Sequence, residues 1–312
     1  MNKSSITIKT LIATAASTLV ALASSGVSAQ TISTINSTTG IANTLTNAVL
    51  AAGSGINVVA GSGTYQGTNT TSFQQSATYT GFNLVPSSGS SPTLTLANGI
   101  FLTTGNANLP KTNTVNNFVG QSGSGANAQL GALSASAGGT STTLDANRLG
   151  FSFTVGAGIT SVSAQFVFGT DEFPTQSVTD IFGFFVDGVN YAKFSNGDLI
   201  SNTPGNPTNF ISNPVGGGLY GIEYNGLTQV FTVTGILGAG NSDGSHTIAI
   251  GIADTSDSIF DSGVFVASLK AGTATGGGGV VPGVPEPETY ALMLVGLAAL
   301  GAVARRRKNR AA

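Results

Sequence analysis

The 312-residue chain is long enough for one large β domain or two small ones, and 44 Gly, 8 % charged residues and no Cys or Trp make it unlike an ordinary cytosolic enzyme. Without Cys, disulfides, thiol catalysis and thiolate metal sites are excluded, and the composition reads as that of an exported surface protein. The formal charge of -2 conceals a split: between Gln30 and Val284 only Lys111, Arg148, Lys193 and Lys270 stand against eleven acids, a net charge of about -7 that argues against nucleic acid and favours cations or neutral polymers such as glycans.

In chain order, Lys3 and Lys9 precede an apolar stretch over 11–23, and Val27-Ser28-Ala29 supplies the small residues a signal peptidase cuts after, so 1–29 reads as a signal peptide and the mature chain starts near Gln30. One helix is expected where Ile41, Leu45, Ala48 and Val49 share a face, with Thr39 to cap it and Gly53 to end it. The rest of 54–148 is rich in Gly, Ser, Thr and Asn, with short apolar pieces, and shows no fixed-period repeat. Leu149, Phe151, Phe153 and Val155 alternate, as do Val162, Ala164, Phe166 and Phe168, and Gly156 to Gly158 between them suggests a hairpin.

The continuous apolar run over 181–186 suits a strand buried on both faces, followed by an Asp187-Gly188 turn. Further strands are expected over 230–233, 246–253 and 264–269. The fold class is therefore all-β: a single antiparallel β-sandwich with one short N-terminal helix and long Gly/Ser/Thr/Asn-rich loops. The domain occupies 30–270, and 271–283, "AGTATGGGGVVPG", reads as a Gly-rich flexible linker.

The tail, 284–312, has three parts: Val284-Pro285-Glu286-Pro287, an apolar segment within 290–304, and a basic cluster with Arg305, Arg306 and Arg307. Fourteen apolar or Gly residues make a helix of about 21 Å against a hydrocarbon core of roughly 30 Å, short for a permanent anchor. The positive-inside rule keeps the arginines cytoplasmic and the body outside. This order of parts resembles the PEP-CTERM sorting signal of Gram-negative bacteria, which implies recognition and cleavage by an exosortase. The two prolines hold the motif extended, as a peptide entering a protease groove must be. An ordinary single-span anchor would not need them.

Three further stretches, "NGIFLTTGNA" at 98–107, "FVFGTDEFPTQSVTDIFGFFVDG" at 166–188 and "GIADTSDSIFDSGVFVASL" at 251–269, resemble the choice-of-anchor L domain. The resemblance implies an extracellular domain joined to a surface-sorting tail, and a location more than a reaction. Where that family suggests a Ser-Glu-Glu-Tyr-like tetrad, this chain has Thr170-Asp171-Glu172-Phe173, which keeps two adjacent carboxylates and drops a phenol hydroxyl.

Asp171, Glu172 and Asp180 bracket one loop, and Asp254, Asp257 and Asp261 occupy another. Hard cations take six to eight oxygens, so two acidic loops meeting at one end of a sandwich can bind calcium. The alternative is that these are turn residues capping local N–H groups. "GNSDGSH" at 240–246 reads as a hairpin turn, having no Glu where a calcium loop needs one, and His246 reads as structural. No G-x-S-x-G elbow occurs, and the glycines of 120–131 lack the Lys and Ser/Thr of a phosphate loop.

The expectation is a non-catalytic protein, exported, transiently anchored in the inner membrane with its body periplasmic, and released to the cell surface or beyond. Its partners would be signal peptidase and exosortase, then exopolysaccharide or other surface proteins of a biofilm matrix. Two alternatives stand beside it: a calcium-dependent glycan-binding adhesin, with a groove lined by Phe173, Tyr191 or Tyr224, and a secreted glycoside hydrolase using Asp171, Glu172 or Asp180. The second lacks the Trp that commonly stacks on sugars.

Overall fold

The computed structural model describes residues 30–283, except 38, 119, 175–179, 202–206 and 217. The segment 1–29 expected as a signal peptide, with Ala29, and the tail with Val284, Pro285, Glu286, Pro287, the 290–304 segment and Arg305, Arg306 and Arg307, lie outside the described residues. Among the described residues no helix is long and apolar enough to cross a membrane.

The elements in order are β1 (Thr31–Thr34), α1 (Ile41–Val49), β2 (Ile56–Val58), β3 (Thr64–Gln66), β4 (Ser76–Thr80), β5 (Asn83–Leu84), β6 (Leu94–Thr95), β7 (Gly99–Thr103) and α2 (Ala128–Ser136). They continue with β8 (Thr143–Val155), β9 (Ser161–Thr170), β10 (Ile181–Val186), β11 (Val189–Asn190), β12 (Ile200–Ser201) and β13 (Phe210–Ser212). The last are β14 (Gly226–Thr228), β15 (Phe231–Ile236), β16 (His246–Thr255), β17 (Ser262–Gly272) and β18 (Gly279–Pro282).

Two antiparallel sheets pack face to face. The first runs β1-β4-β7-β17-β9-β14-β13, with β15 also paired to β9 and β18 to β15; the second runs β11-β10-β16-β8-β2, with β12 on β10 and β3 on β8. Between them Ile100, Leu102, Phe166, Phe168, Val264 and Val266 of the first sheet meet Phe151, Phe153, Phe182, Phe184, Ile250 and Ile252 of the second. This is the sandwich core the alternation of period two requires.

Both outer faces are also covered. Phe101, Val167 and Phe265, one residue out of phase with the inner set, pack with Tyr79, Phe82 and Tyr224 in a second cluster. The second sheet's outer face takes α2, whose Leu130 and Leu133 cover Ile181, Phe185 and Ala253. Double coverage explains why β10 is apolar at every position and buried throughout.

Four local expectations change. The segments 149–155 and 162–168 do not pair: β8 belongs to the second sheet and β9 to the first, so Gly156 to Thr160 carries the chain across the sandwich. Both strands alternate because they face the same core from opposite sides, and sequence periodicity cannot separate that from a hairpin. The turn over 240–246 likewise joins strands of different sheets, β15 and β16. Helix α1 begins behind Gly40 in the left-handed region with no side-chain cap, so Thr39 does not serve. A second helix, α2, is present, capped by the Asn127 side chain, which accepts from the N–H groups of Gln129 and Leu130 at 3.1 and 3.0 Å.

Part of the stretch expected as linker is structured. β17 runs on to Gly272, and β18 pairs with β15 from Phe231↔Pro282 to Thr234↔Gly279. The Asp187-Gly188 turn is as expected, with φ of 48° and 81°, the conformation a two-residue hairpin between β10 and β11 needs.

Candidate functional site

The acidic residues are positioned by strand register. In the first sheet Thr170 of β9 pairs with Ser262 of β17, so Asp171 and Asp261 are the next residues beyond that rung. They remain joined through the backbone, Asp171 N–H donating to the Asp261 carbonyl at 3.2 Å. In the second sheet Ile181 of β10 pairs with Ala253 of β16, which puts Asp180 and Asp254 side by side. Ser262 Oγ donates a short hydrogen bond to Asp180 Oδ2 and so links the two pairs across the sandwich. Glu172 follows Asp171, and its N–H donates to Thr170 Oγ1 at 3.0 Å.

Asp171, Glu172, Asp180, Asp254 and Asp261 are all buried, none more than 2 % exposed. Asp257 is half-buried at the margin, facing Glu172 and accepting from the Ile259 N–H at 3.2 Å in a local turn. Five of the six acids singled out in the sequence therefore gather at one end of the sandwich, and Asp257 keeps turn duty beside them.

Their partners differ. Asp171 accepts from the N–H groups of Phe118 at 3.1 Å and Asn225 at 3.0 Å. Asp254 lies beside Asp180 and Thr104, and Asp261 beside Gly120, yet neither oxygen of either side chain meets a donor in hydrogen-bond alignment. Asp180 Oδ1 is also without a partner. Among the described residues the one ion pair is His246 Nδ1 to Asp187 Oδ2 at 2.8 Å, so no Lys or Arg compensates the cluster.

The electrostatic result is a set of carboxyls that resist ionisation. Burial pushes Asp171 up to about 9 against the Asn225 and Phe118 N–H groups, with Glu223 and Asp261 adding to the rise. Burial, then Asp180, Asp257 and Asp171, lift Glu172 to about 9. Burial and Asp145 lift Asp261 to about 8, opposed by the Gly120 N–H. Asp180 and Asp254 are held well above the carboxylate range, chiefly by burial.

Sequence reasoning missed the supporting residues. Asp145 sits in a bulge where β8 slips against β16, at φ 46°, and accepts from the N–H groups of Ser122 and Gly123 at 3.0 and 2.8 Å. Glu223, fully buried, accepts from the Val115 N–H at 3.0 Å and the Thr114 hydroxyl at 3.0 Å. A Cβ on Gly105 would stand 1.7 Å from Asp261 Oδ2, so only glycine leaves that carboxylate its place. Neither lone acid had a sequence signal, because a bulge and a long-range cap are set by tertiary register.

The residues expected to line a glycan groove do not form one. Tyr224 is fully buried, Phe173 is 8 % exposed and stacks on Phe210 with centroids 5.6 Å apart, and the Tyr191 hydroxyl donates to the Ile236 carbonyl at 3.2 Å. Phe173 thus fills the core side of the tetrad, where a phenol hydroxyl would need a buried partner.

The choice-of-anchor L domain model matches residues 31–270, and the PEP-CTERM protein-sorting motif matches residues 283–308. The chain belongs to the choice-of-anchor L family and ends in a PEP-CTERM sorting motif, which implies processing by exosortase and export to the cell surface. No curated protein and no solved structure matches the chain.

Proposed function

We propose that this chain is a non-catalytic component of the extracellular matrix, whose domain associates with exopolysaccharide after sorting. Signal peptidase removes 1–29, the 290–304 segment holds the chain briefly in the inner membrane with its body periplasmic, and exosortase cuts near Val284 to Pro287. The observation that carries the matrix role is where the charge lies. Of the eleven acids between Gln30 and Val284, seven are buried: Asp145, Asp171, Glu172, Asp180, Glu223, Asp254 and Asp261. Only Asp187, Asp198, Asp243 and Asp257 remain outside the core, against four basic residues.

The excess acidic groups are thus internal, and the surface is close to neutral, covered by hydroxyls and amides. Such a surface hydrogen-bonds uncharged polymers without electrostatic steering in either direction. A shallow depression between α1 and β4, lined by Thr44, Asn47, Thr78, Thr80 and Asn98, offers donors and acceptors of this kind. Weak contacts of this sort hold through multiplicity along a polymer. Burial of Asp171, Glu172 and Asp180 supports the non-catalytic reading, since a sugar would have to reach those oxygens.

The test is release of the mature protein from a producing culture's matrix. Retention should survive 1 M salt, an ionic strength at which the Debye length is about 3 Å, and be lost when the polysaccharide is digested. Release by salt, or retention after digestion, overturns the reading.

A further inference from the structure

We propose that the buried carboxylate cluster binds a hard divalent cation of the calcium class, and that this ion ties the two sheets together at one end. Acidic residues alone would not carry this. Two observations of different kinds do.

The first is topological. Asp171 and Asp261 stand just past the β9–β17 ladder of one sheet, and Asp180 and Asp254 just past the β10–β16 ladder of the other, with Asp254 still inside β16 and paired to Leu144 of β8. A multivalent cation is the ligand that draws four carboxylates from two sheets to one place, and with an all-oxygen donor set and no Cys or second His, the donors suit calcium, magnesium or manganese rather than zinc.

The second is the state of the oxygens. Both oxygens of Asp254, both of Asp261 and Oδ1 of Asp180 are buried without a hydrogen-bond partner. Protonation satisfies only part of the set: a proton between Asp180 and Asp254 serves that pair and leaves both oxygens of Asp261, on the other sheet, without a partner. An uncompensated buried charge costs several kcal/mol, and no cationic side chain pairs with the cluster among the described residues. A cation removes the charge and uses the lone pairs at once.

Among the described residues no three acidic groups converge on one point, so binding turns the side chains of Asp254 and Asp261 toward Asp180. Gly105 and Gly120 keep the space around Asp261 free of a Cβ that would block it. Tyr224 borders the cluster, close enough that Asp261, Asp171 and Asp180 disfavour its ionisation, and provides a nearby spectroscopic reporter.

The experiment uses mature secreted protein stripped with chelator, and is independent of the matrix reading because no polysaccharide is present. Millimolar calcium should raise the thermal midpoint by about 5 °C or more, saturably, while magnesium raises it much less. Asp254→Asn and Asp261→Asn should abolish the shift, and Asp187→Asn, remote from the cluster, should keep it. Because the cluster variants can fail to fold, wild-type protein is also titrated with terbium, whose tyrosine-sensitised emission should appear at one equivalent and be displaced by calcium. Equal midpoints in calcium and chelator without terbium emission overturn the proposal, as does a shift that magnesium reproduces in full.

Discussion

Ser262 Oγ donates to Asp180 Oδ2, and this hydrogen bond passes from the start of β17 in one sheet to the residue just before β10 in the other. Both residues are at most 1 % exposed, so neither finds water when its partner is lost. Ser262→Ala should lower unfolding free energy by about 1–3 kcal/mol, the range for removing one partner of a buried polar pair. Urea unfolding of the mature protein measures it, and a change within 0.5 kcal/mol (about RT) would mean that the link is unimportant.

Glu223 is an acceptor held by donors. The N–H groups of Thr114 and Val115 and the Thr114 hydroxyl all point at its carboxylate. Glu223→Gln keeps the volume and turns an NH2 toward those donors, so it should destabilise by about 1–3 kcal/mol. The loop around 114–118 should also lose protection in hydrogen exchange, which a loss of volume alone would not confine to that loop.

Asp187 supplies the pH dependence. Burial works against its ionisation, but the Thr247 N–H at 2.8 Å, the His246 ring at 2.8 Å and the Gly238 N–H at 2.9 Å outweigh it and hold its carboxyl below the usual range. A depressed folded value means that the unfolded chain binds the proton first, so this contribution is present above the ordinary carboxylate pKa of about 3.9 and is lost as pH falls through the folded value. Asp187→Asn should therefore cost about 1–2 kcal/mol at pH 7. The gap between variant and wild type should close as acidification proceeds below the ordinary carboxylate pKa and through the lower folded value, which unfolding midpoints across pH would show.

Gly263 has no room for a side chain. A Cβ there would lie 2.2 Å from the Tyr224 hydroxyl and 2.6 Å from the Phe101 ring. Both neighbours are fully buried, so neither moves aside cheaply. Gly263→Ala should cost about 2–3 kcal/mol through overpacking and broaden the unfolding transition, as seen by calorimetry.

Processing makes a mass prediction. Protein recovered from the cell surface should begin near Gln30 and lack Arg305, Arg306 and Arg307, since exosortase acts at the PEP-CTERM motif. Intact-mass analysis in which the full Arg tail is the sole extracellular form would refute this order of events.

Much of the architecture was legible because it is written in local periodicity. The strands at 181–186, 246–253 and 264–269 announce themselves by apolar runs and alternation, and β10, β16 and β17 stand there. Which sheet a strand joins is not local: β8 and β9 alternate like a hairpin and yet face each other across the core. Helix α2 was obscured by its small residues, "AQLGALSAS", in which only Leu130 and Leu133 are large and apolar.

The candidate site was legible in residue type but not in burial. Six acids in two loops suggested a meeting place, and register brings five of them together. Charge counting gave a net charge of about -7 between Gln30 and Val284 without locating it, whereas seven of those eleven acids are buried. Asp145 and Glu223 carried no signal, since their roles depend on segments 22 and 109 residues away in the chain.

The pairing of β18 with β15 has a mechanical side. When the exported chain is held at the end nearest its sorting motif, a pull meets first the Gly283 N–H bonded to the Val230 carbonyl at 2.8 Å and then the four rungs of that ladder. If they part, the ten residues from 273 to 282 come free and can span at most roughly 35 Å, while the longer β17–β9 ladder stays paired. The last strand, with four rungs against the nine of β17 on β9, is thus placed to part first under such a pull.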